Sequence, residues 1–520
     1  MADTLRYPIG IQYFPDIIEG GFVYVDKTMY IKQLLDGAGY YFLSRPRRFG
    51  KSLFISTLEA FFEARRDLFN GLAIDTPDTI WKKRPVINIS LNAIDPHSDN
   101  ALRKVLESTF RDYEKIYGIE DNDDELASRF ERILRKAFEQ TGLQAAVLID
   151  EYDGPILDTL EMEERNESYR MTLKSVFSVL KSADRYIYFA FVTGVSRFSH
   201  TSLFSGANNL EDISLLDEFA GICGITDEEL RKDFMPGIHV FAQAEGLEDE
   251  DMIMKLKENY DGYHFSEHCP DIYNPFSLLN SLKQKKLSDF WFRSGTPTFL
   301  INVLRRDGFF IPELDCIEVL ESDLSAKESY IYNPVSLLFE SGYITIHHYD
   351  EEKQTFTLGL PNNEVATSFS KALLPVYSGM NSTAFRDIFM KMRNAILDGK
   401  PNLFMELLKS FLHGNPYSNT LIAQRETYFK NNIYLIFKAL GFLPRSEEQT
   451  CNARMDVMLR TTRYVYIFEL KTDGSVEKAM QQIEDKGYAD PYLYEGRRII
   501  RIAANYSTKT NNIDSWEIRE

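Results

Sequence analysis

Cysteine is scarce in this 520-residue chain, and Cys223, Cys269, Cys316 and Cys451 stand far apart with no CxxC pair. That spacing argues against structural zinc and against a disulfide framework, and it suits a reducing cytosol. No apolar run approaches the ~18 residues that a bilayer span needs. The start, MADTLRYPIG, lacks the basic-then-apolar pattern of a secretion signal. The expectation is a cytoplasmic protein with no membrane partner. Pro/Gly/Ser-rich linkers and low-complexity runs are missing too, so the domains should pack closely. Positive charge is in deficit: 59 Lys and Arg face 78 Asp and Glu, a net charge of −19. This argues against a general nucleic-acid coat. The deficit is uneven, because residues 1–60 hold 7 basic and 6 acidic side chains and residues 421–520 hold 15 and 14. A local nucleic-acid site at either end stays open, and the acidic middle reads as a solvated helical surface.

What is present is globular: 44% hydrophobic and 13% aromatic residues are enough for several cores, and the length fits three or four domains. Residues 42–54, FLSRPRRFGKSLF, end in Gly-Lys-Ser between apolar runs. The glycine usually found five residues before such a Gly-Lys is Arg45 here, followed by Pro46, Arg47 and Arg48. YYFLS (40–44) reads as a buried strand, and SLFISTLEAFFEAR (52–65) spaces Leu53, Ser56, Leu58, Phe61 and Phe62 as a helix does. Strand, tight loop and helix form the setting of a phosphate-binding loop. Successive backbone N–H groups of the loop, those of Arg45, Arg47, Arg48 and Phe49 around a Pro46 that has none, and the helix N-terminus would hold phosphates, and Gly50 would let the backbone approach. Lys51 would reach the β- and γ-phosphates, and the Ser52 hydroxyl would sit on Mg²⁺. Arg45 cannot easily take a glycine's positive φ, and Pro46 biases it toward extended backbone, so the first turn should differ from the usual one. The loop then offers Arg45, Arg47 and Arg48 to the nucleotide or to another partner.

Gly-Lys-Ser recurs by chance, so a second element is required. AAVLIDEYD (145–153) ends a buried strand in Asp150 and Glu151. Asp150 would act on the metal, mostly through water, and Glu151 would orient and deprotonate the attacking water. The alternative is a strand that ends in a solvated acidic turn. YIYFAFVTGVSRF (186–198) supplies a third strand with Thr193 at its end, and PVINISLN (85–92) a fourth. Strands alternating with helical stretches imply an α/β parallel sheet.

YPIGIQYF (7–14), YVDKT (24–28), SRPRRFGKSLF (44–54), VLIDEYD (147–153) and FVTGVSRFSHTSLFSGANNLEDIS (191–214) resemble the bacterial AAA-ATPase-like family over roughly residues 5–285. The resemblance implies ATP binding, with a polar residue, Thr193, beside the γ-phosphate.

In the middle, YNPFSLLNSL (273–282) and YNPVSLLFES (332–341) echo each other. Asn as a cap and Pro in the first turn make each a helix start, and repeated capping is favoured over duplication. GYITIHHYDEEKQTFTLGLPNNEV (342–365) reads as two strands around a charged turn at 350–354, a winged-helix-like pattern. The acidic turn argues against a DNA-reading wing. His347 and His348 fall on opposite faces and read as surface residues rather than metal ligands.

In the last hundred residues, RMDVMLRTTRYVYIFELKTDG (454–474) reads as a hairpin turning at Thr461-Thr462. YVYIFEL is apolar on both faces, so it should be a central strand. Glu469 and Lys471, spaced by two, share a face. The turn pairs residues whose numbers sum to 923, which makes Asp456 and Glu469 diagonal neighbours able to share a divalent ion. An odd-length turn would send Asp456 to the other face. Upstream, Glu426 lies on the stripe of Phe429, Ile433, Ile436 and Leu440, where a carboxylate needs a partner. Downstream, Gln482 and Lys486 stand one turn apart on a helix.

Order and spacing resemble the PD-(D/E)XK nuclease superfamily. Asp456 matches its aspartate, Glu469 and Lys471 its Glu-x-Lys, Gln482 its helix glutamine and Glu426 its N-terminal acid. Met455 stands where the motif's proline would be, which leaves substrate choice open. The resemblance implies that Asp456 and Glu469 bind Mg²⁺, or Mn²⁺, while Lys471 and Gln482 position water or support developing charge. The expected architecture is an α/β multidomain chain: a P-loop parallel-sheet ATPase core (1–225), a helical and winged-helix-like region (226–380) and a small α/β restriction-endonuclease-like domain (381–520). The expected function is an ATP-binding protein, an ATPase, coupled to a divalent-metal-dependent nuclease acting on nucleic-acid phosphodiesters, with DNA favoured over RNA as the partner. The alternative is a nucleotide-dependent switch or DNA-binding module that does not cut. Whether it forms a homo-oligomer stays open.

Overall fold

The computed structural model describes residues 5–92, 94–120, 125–197, 209–293, 298–324, 334–378, 382–413, 422–441, 457–493 and 496–520. The chain divides into two compact units, Met1–Trp291 with Val319–Phe356, and Phe292–Glu318 with Thr357–Glu520. Among the described residues no helix is long and apolar enough to cross a membrane.

The first unit is built on an all-parallel sheet of β1 (Tyr40–Ser44), β2 (Val86–Ser90), β3 (Ala145–Asp150), β4 (Ile187–Gly194) and β5 (Glu211–Asp212), in the order β2-β3-β4-β1-β5. All six residues of β3 are buried, as a continuous apolar run in the middle of a parallel sheet requires. At the edge, β2 alternates between buried and partly exposed residues. Because β4 lies between β1 and β3, the ends of the loop strand and the acid strand flank the end of β4. The helix that follows the loop, α1 (Lys51–Phe62), buries nine of its twelve residues.

Helices Asp227–Asp233, Met235–Glu245, Asp249–Tyr260 and Pro275–Gln284 follow, joined by a core that includes Leu230, Phe241, Leu256 and Leu278. Asn274 caps the last of them, accepting the Ser277 N–H at 3.1 Å. For the second Tyr-Asn-Pro, helix Pro334–Glu340 is present, but Tyr332 and Asn333 lie outside the described residues. Strands Thr345–Asp350 and Thr355–Gly359 flank the acidic turn. His347 and His348 are both exposed.

Among the described residues Cys223 and Cys269 are free and buried.

The second unit ends in a four-stranded sheet next to helix α2 (Ile422–Ala439). Its strands are β6 (Val457–Arg460), β7 (Tyr464–Thr472), β8 (Arg498–Ser507) and β9 (Asn512–Arg519), in that order. β7 runs antiparallel to β6 and parallel to β8, and helix α3 (Val476–Asp485) makes the crossover a parallel pair needs. Residues of β7 alternate between two covered faces. Val465 and Ile467 pack with Ala479, Met480 and Ile483 of α3. On the other face Phe468 meets Phe404 and Phe437, with ring centroids 5.7 and 4.8 Å away.

Candidate functional sites

In the first unit the loop after β1 takes left-handed backbone at Arg48 (φ 71°) and Gly50 (φ 102°), not at Arg45. The turn therefore sits later than in a loop that opens on glycine. Arg45 meets a different fate from the one its place in the sequence implies. Its guanidinium is buried and donates to the backbone oxygens of Ser44 and Ser214, both at 2.8 Å, and of Phe219 at 3.1 Å. It also lies over the Phe265 ring at 4.3 Å. Burial pushes its pKa down to about 10, which still leaves it charged at neutral pH. This corrects the expectation that the Arg45 side chain is offered to phosphate, since carbonyls about 170 residues downstream already hold it. Arg47 and Arg48 are exposed. Arg47 stands 3.7 Å from Asp158, and Arg48 lies 5.3 Å over the Phe276 ring. Pro46 and Phe49 are buried, Ser52 is half-buried, and Phe49 packs edge-on against Tyr263 and Phe265. Lys51 is buried, its Nζ donating to the carbonyls of Arg45 at 2.8 Å and Pro46 at 3.1 Å.

The acid strand and β4 meet beside this loop. Thr193 Oγ1 donates to Asp150 Oδ1 at 2.6 Å, both residues being buried, and Asn92 Nδ2 stands 3.5 Å from Asp150 Oδ2. Glu151 holds a left-handed φ of 51° between two tethered neighbours. Burial raises the Glu151 carboxyl above the ordinary glutamate range, Asp150 and Asp153 add to the rise, and Lys51 opposes it. A carboxyl so placed keeps its proton more tightly, which makes it the more competent base once ionised.

Asp153 was given no role by the sequence. It is fully buried and accepts from Val195 N at 3.0 Å, Ser196 N at 2.6 Å and Ser196 Oγ at 2.6 Å. Tyr152 adds two ties, N–H to the Thr193 oxygen at 3.0 Å and hydroxyl to the Ser196 oxygen at 2.9 Å. A Cβ on Gly194 would collide with the Tyr152 ring and the Asp153 carboxylate, so only glycine permits this closeness. The third acid of VLIDEYD was the signal available. Its meaning needs Ser196, 43 residues on.

In the second unit Glu469 is buried on the α3 face of β7, and Lys471 follows on the same face. Lys471 Nζ donates to Glu469 Oε1 and to Gln482 Oε1, both at 2.7 Å. The turn between β7 and α3 sets this distance. Asp473 (φ 48°) accepts from Thr508 N and Oγ1, Gly474 N donates to Asn505 Oδ1, and Ser475 caps α3. The hairpin register is corrected. Paired residues sum to 925, as in Val457↔Phe468, rather than 923. The turn residues are Thr462-Arg463 because Thr461 stays paired: its N–H reaches the Tyr464 oxygen at 2.8 Å, and its hydroxyl accepts the Tyr464 N–H at 2.9 Å. A threonine hydroxyl closing its own turn is a known alternative to Asn-Gly chemistry. The turn length remains even.

Asp456 lies outside the described residues. Glu426 is on α2, and its side chain is outside them as well. Of the stripe on that helix, Phe429, Ile433 and Ile436 are buried and Leu440 is half-buried. The Phe429 ring stacks 3.8 Å from Tyr506, at the same end of the sheet as Lys471 but on the opposite face. Among the described residues no group of three or more His, Cys, Asp or Glu side chains could hold a metal ion. Ser52 and Asp150 in one unit, and Glu469 in the other, supply the hard oxygen donors that suit Mg²⁺ in a site completed by substrate phosphates.

The comparisons with known proteins agree with both halves. Residues 8–204 match the family described as "Predicted AAA-ATPase", and residues 424–516 match the PD-(D/E)XK nuclease superfamily. The chain is 34% identical over 516 residues, 98% of each protein, to "Uncharacterized protein in vnfD 5'region" of Azotobacter chroococcum mcd 1. With that relative, the chain belongs to the family of AAA-ATPase-like proteins that carry a C-terminal PD-(D/E)XK nuclease-superfamily domain.

Proposed function

We propose that the chain is an ATPase coupled to a divalent-metal-dependent nuclease that cuts nucleic-acid phosphodiesters, DNA in preference to RNA, in the cytoplasm. The observation that carries the nuclease half is the Lys471 bridge between Glu469 and Gln482. It gathers a carboxylate, a cation and an amide on one end of one face of the sheet. Asp456 is the second carboxylate of this reading. Magnesium, or manganese at the nuclease site, would supply charge neutralisation and an acidified water. Ser52 and Asp150 would hold it in the ATPase, and Asp456 and Glu469 in the nuclease.

In the ATPase, Lys51 exchanges its loop carbonyls for β- and γ-phosphate oxygens, and the N–H groups around Gly50 hold the rest. Glu151 takes the proton of the attacking water at its carboxylate. Thr193 keeps Asp150 in place. In the nuclease, Lys471 orients water or stabilises charge on the phosphate, and Gln482 holds the Lys471 ammonium in position.

A second reading, a nucleotide-dependent switch that grips DNA without cutting it, is favoured by the same ion pair. Lys471 at 2.7 Å from Glu469 reduces the negative charge that a cation needs. One matrix decides between the two. Plasmid, single-stranded DNA and RNA are incubated with Mg²⁺ or Mn²⁺, with and without ATP, with the parent chain, Glu151→Gln and Glu469→Ala. Cleavage by the parent that Glu469→Ala abolishes is expected. Salt-sensitive binding without cleavage selects the switch.

A further inference from the structure

Residues far downstream in the chain rest on the phosphate loop of the first unit. Gly342, just after helix Pro334–Glu340, holds a left-handed φ of 82° and lies against Pro46. A Cβ there would stand 2.8 Å from two carbons of the Pro46 ring, so only glycine permits the approach. Trp291 is buried and donates its indole N–H to the Arg47 oxygen at 3.0 Å, and its ring meets that of Tyr343 at 5.3 Å between centroids. Glu340, also buried, accepts the Arg197 N–H at 2.8 Å, one residue beyond the Ser196 that Asp153 holds. The Thr345 hydroxyl accepts the His264 N–H at 2.7 Å and donates to the His264 oxygen at 3.1 Å. His264 stands between Tyr263 and Phe265, the two rings packed on Phe49 of the loop.

Residues 340–345 and Trp291 thus touch the loop at Pro46 and Arg47 and the chain just past β4 at Arg197. A nucleotide disturbs the same places. Lys51 Nζ bonds the oxygens of Arg45 and Pro46. Once it turns to phosphate oxygens, the Pro46 carbonyl loses a donor, and a buried carbonyl without one is costly. The loop then shifts at Pro46, against Gly342 and against the bond from Trp291. The same residues mark chain crossings: the chain leaves the first unit after Trp291, returns at Val319 and leaves again after Phe356.

We infer that Trp291 and residues 340–345 form a strap that senses the nucleotide. The strap favours the loop arrangement in which Lys51 bonds its own carbonyls, and phosphate binding at Lys51 displaces it. By linkage, loosening the strap tightens ATP. This rests on the nucleotide reading given above. It adds a sensor, placed where the chain passes to the unit that carries the nuclease-like sheet.

The test pairs calorimetric titration with indole emission, both on the full-length chain with the magnesium complex of ATP. The parent's emission should change as ATP saturates it, and most of that change should be gone in Trp291→Phe, which keeps Trp81 and Trp516. The same variant retains a ring beside Tyr343 but lacks the N–H for Arg47, and it should bind ATP about fivefold more tightly or better. Thr345→Val, which loses both bonds to His264, should shift affinity in the same direction, and Thr345→Ser should keep the parent's value. An emission change that persists in Trp291→Phe, or ATP affinities in Trp291→Phe and Thr345→Val equal to or below the parent's, overturns the strap and leaves the nucleotide site standing. Failure of the parent to bind ATP overturns the nucleotide reading and the strap with it. Should Trp291→Phe melt early, Thr345→Val against Thr345→Ser still decides.

Discussion

Thr193 donates a 2.6 Å hydrogen bond to Asp150 across the ends of two neighbouring buried strands. The bond fixes the carboxylate that the nucleotide reading assigns to the metal, using a residue that itself stands at the end of β4. Removing it leaves Asp150 buried with one acceptor fewer satisfied, and a bond to an ionised group is worth about 1.5–3 kcal/mol. Thr193→Val should lower ATP turnover by roughly 10–100-fold and change ATP affinity little. Steady-state hydrolysis beside direct binding separates the two, and a variant that loses affinity and turnover equally contradicts the assignment.

Glu151 predicts a pH dependence. Burial favours its neutral form, so its pKa is raised in the folded protein. A base must be ionised to act, so ATP hydrolysis should fall as pH drops through that raised value, above the ordinary glutamate range. Glu151→Gln should cut turnover to a small residual rate and spare binding. An acid limb that survives in the residual activity of Glu151→Gln assigns it elsewhere.

Asp153 should matter for catalysis although it touches neither phosphate nor metal in this reading. It holds Val195 and Ser196 with three hydrogen bonds and so positions the end of β4 relative to Glu151. Asp153→Asn keeps the shape but turns one acceptor into a donor facing N–H groups. The expectation is a turnover loss larger than the change in ATP KM. A melting temperature that falls with no change in turnover would reduce Asp153 to a structural tie.

Arg45 is expected to be a stability residue. Its fork serves three carbonyls in a buried setting, and lysine cannot reproduce that geometry. Arg45→Ala and Arg45→Lys should each destabilise the first unit by roughly 2–4 kcal/mol, read as a lowered denaturant midpoint. Arg47→Ala and Arg48→Ala, at exposed positions, should leave the midpoint nearly unchanged.

Asp261 links stability to pH. Burial, with Asp271 adding and Lys257 opposing, pushes its carboxyl up to about 7. The folded state binds this proton more tightly than the unfolded chain does. The stabilisation it brings is therefore complete at low pH and is lost as pH rises through about 7. Asp261→Asn should raise the melting temperature at about pH 8 and raise it less at about pH 5. Equal gains at both pH values would detach the effect from titration.

The elements legible in the sequence are those whose causes are local. Tyr40–Ser44, the helix after Gly-Lys, the fully apolar run into Asp150 and the same-face pair Glu469 and Lys471 each follow from neighbours within a few residues. The hairpin register missed by one step on each strand because both threonines, Thr461 and Thr462, could have opened the turn. The choice fell to the Thr461 hydroxyl, which binds the Tyr464 N–H.

Side-chain periodicity, helix capping and strand burial are written into neighbouring residues, so two candidate sites and their supporting strands are legible in the sequence. Long-range partners are not written there. The carbonyls of Ser214 and Phe219 took Arg45 out of the loop, Ser196 gave Asp153 its task, and a turn pinned by Thr508 brought Gln482 to Lys471. Folding decides these because a buried charge or donor takes the acceptor that the three-dimensional packing leaves within about 3 Å, whatever its distance along the chain.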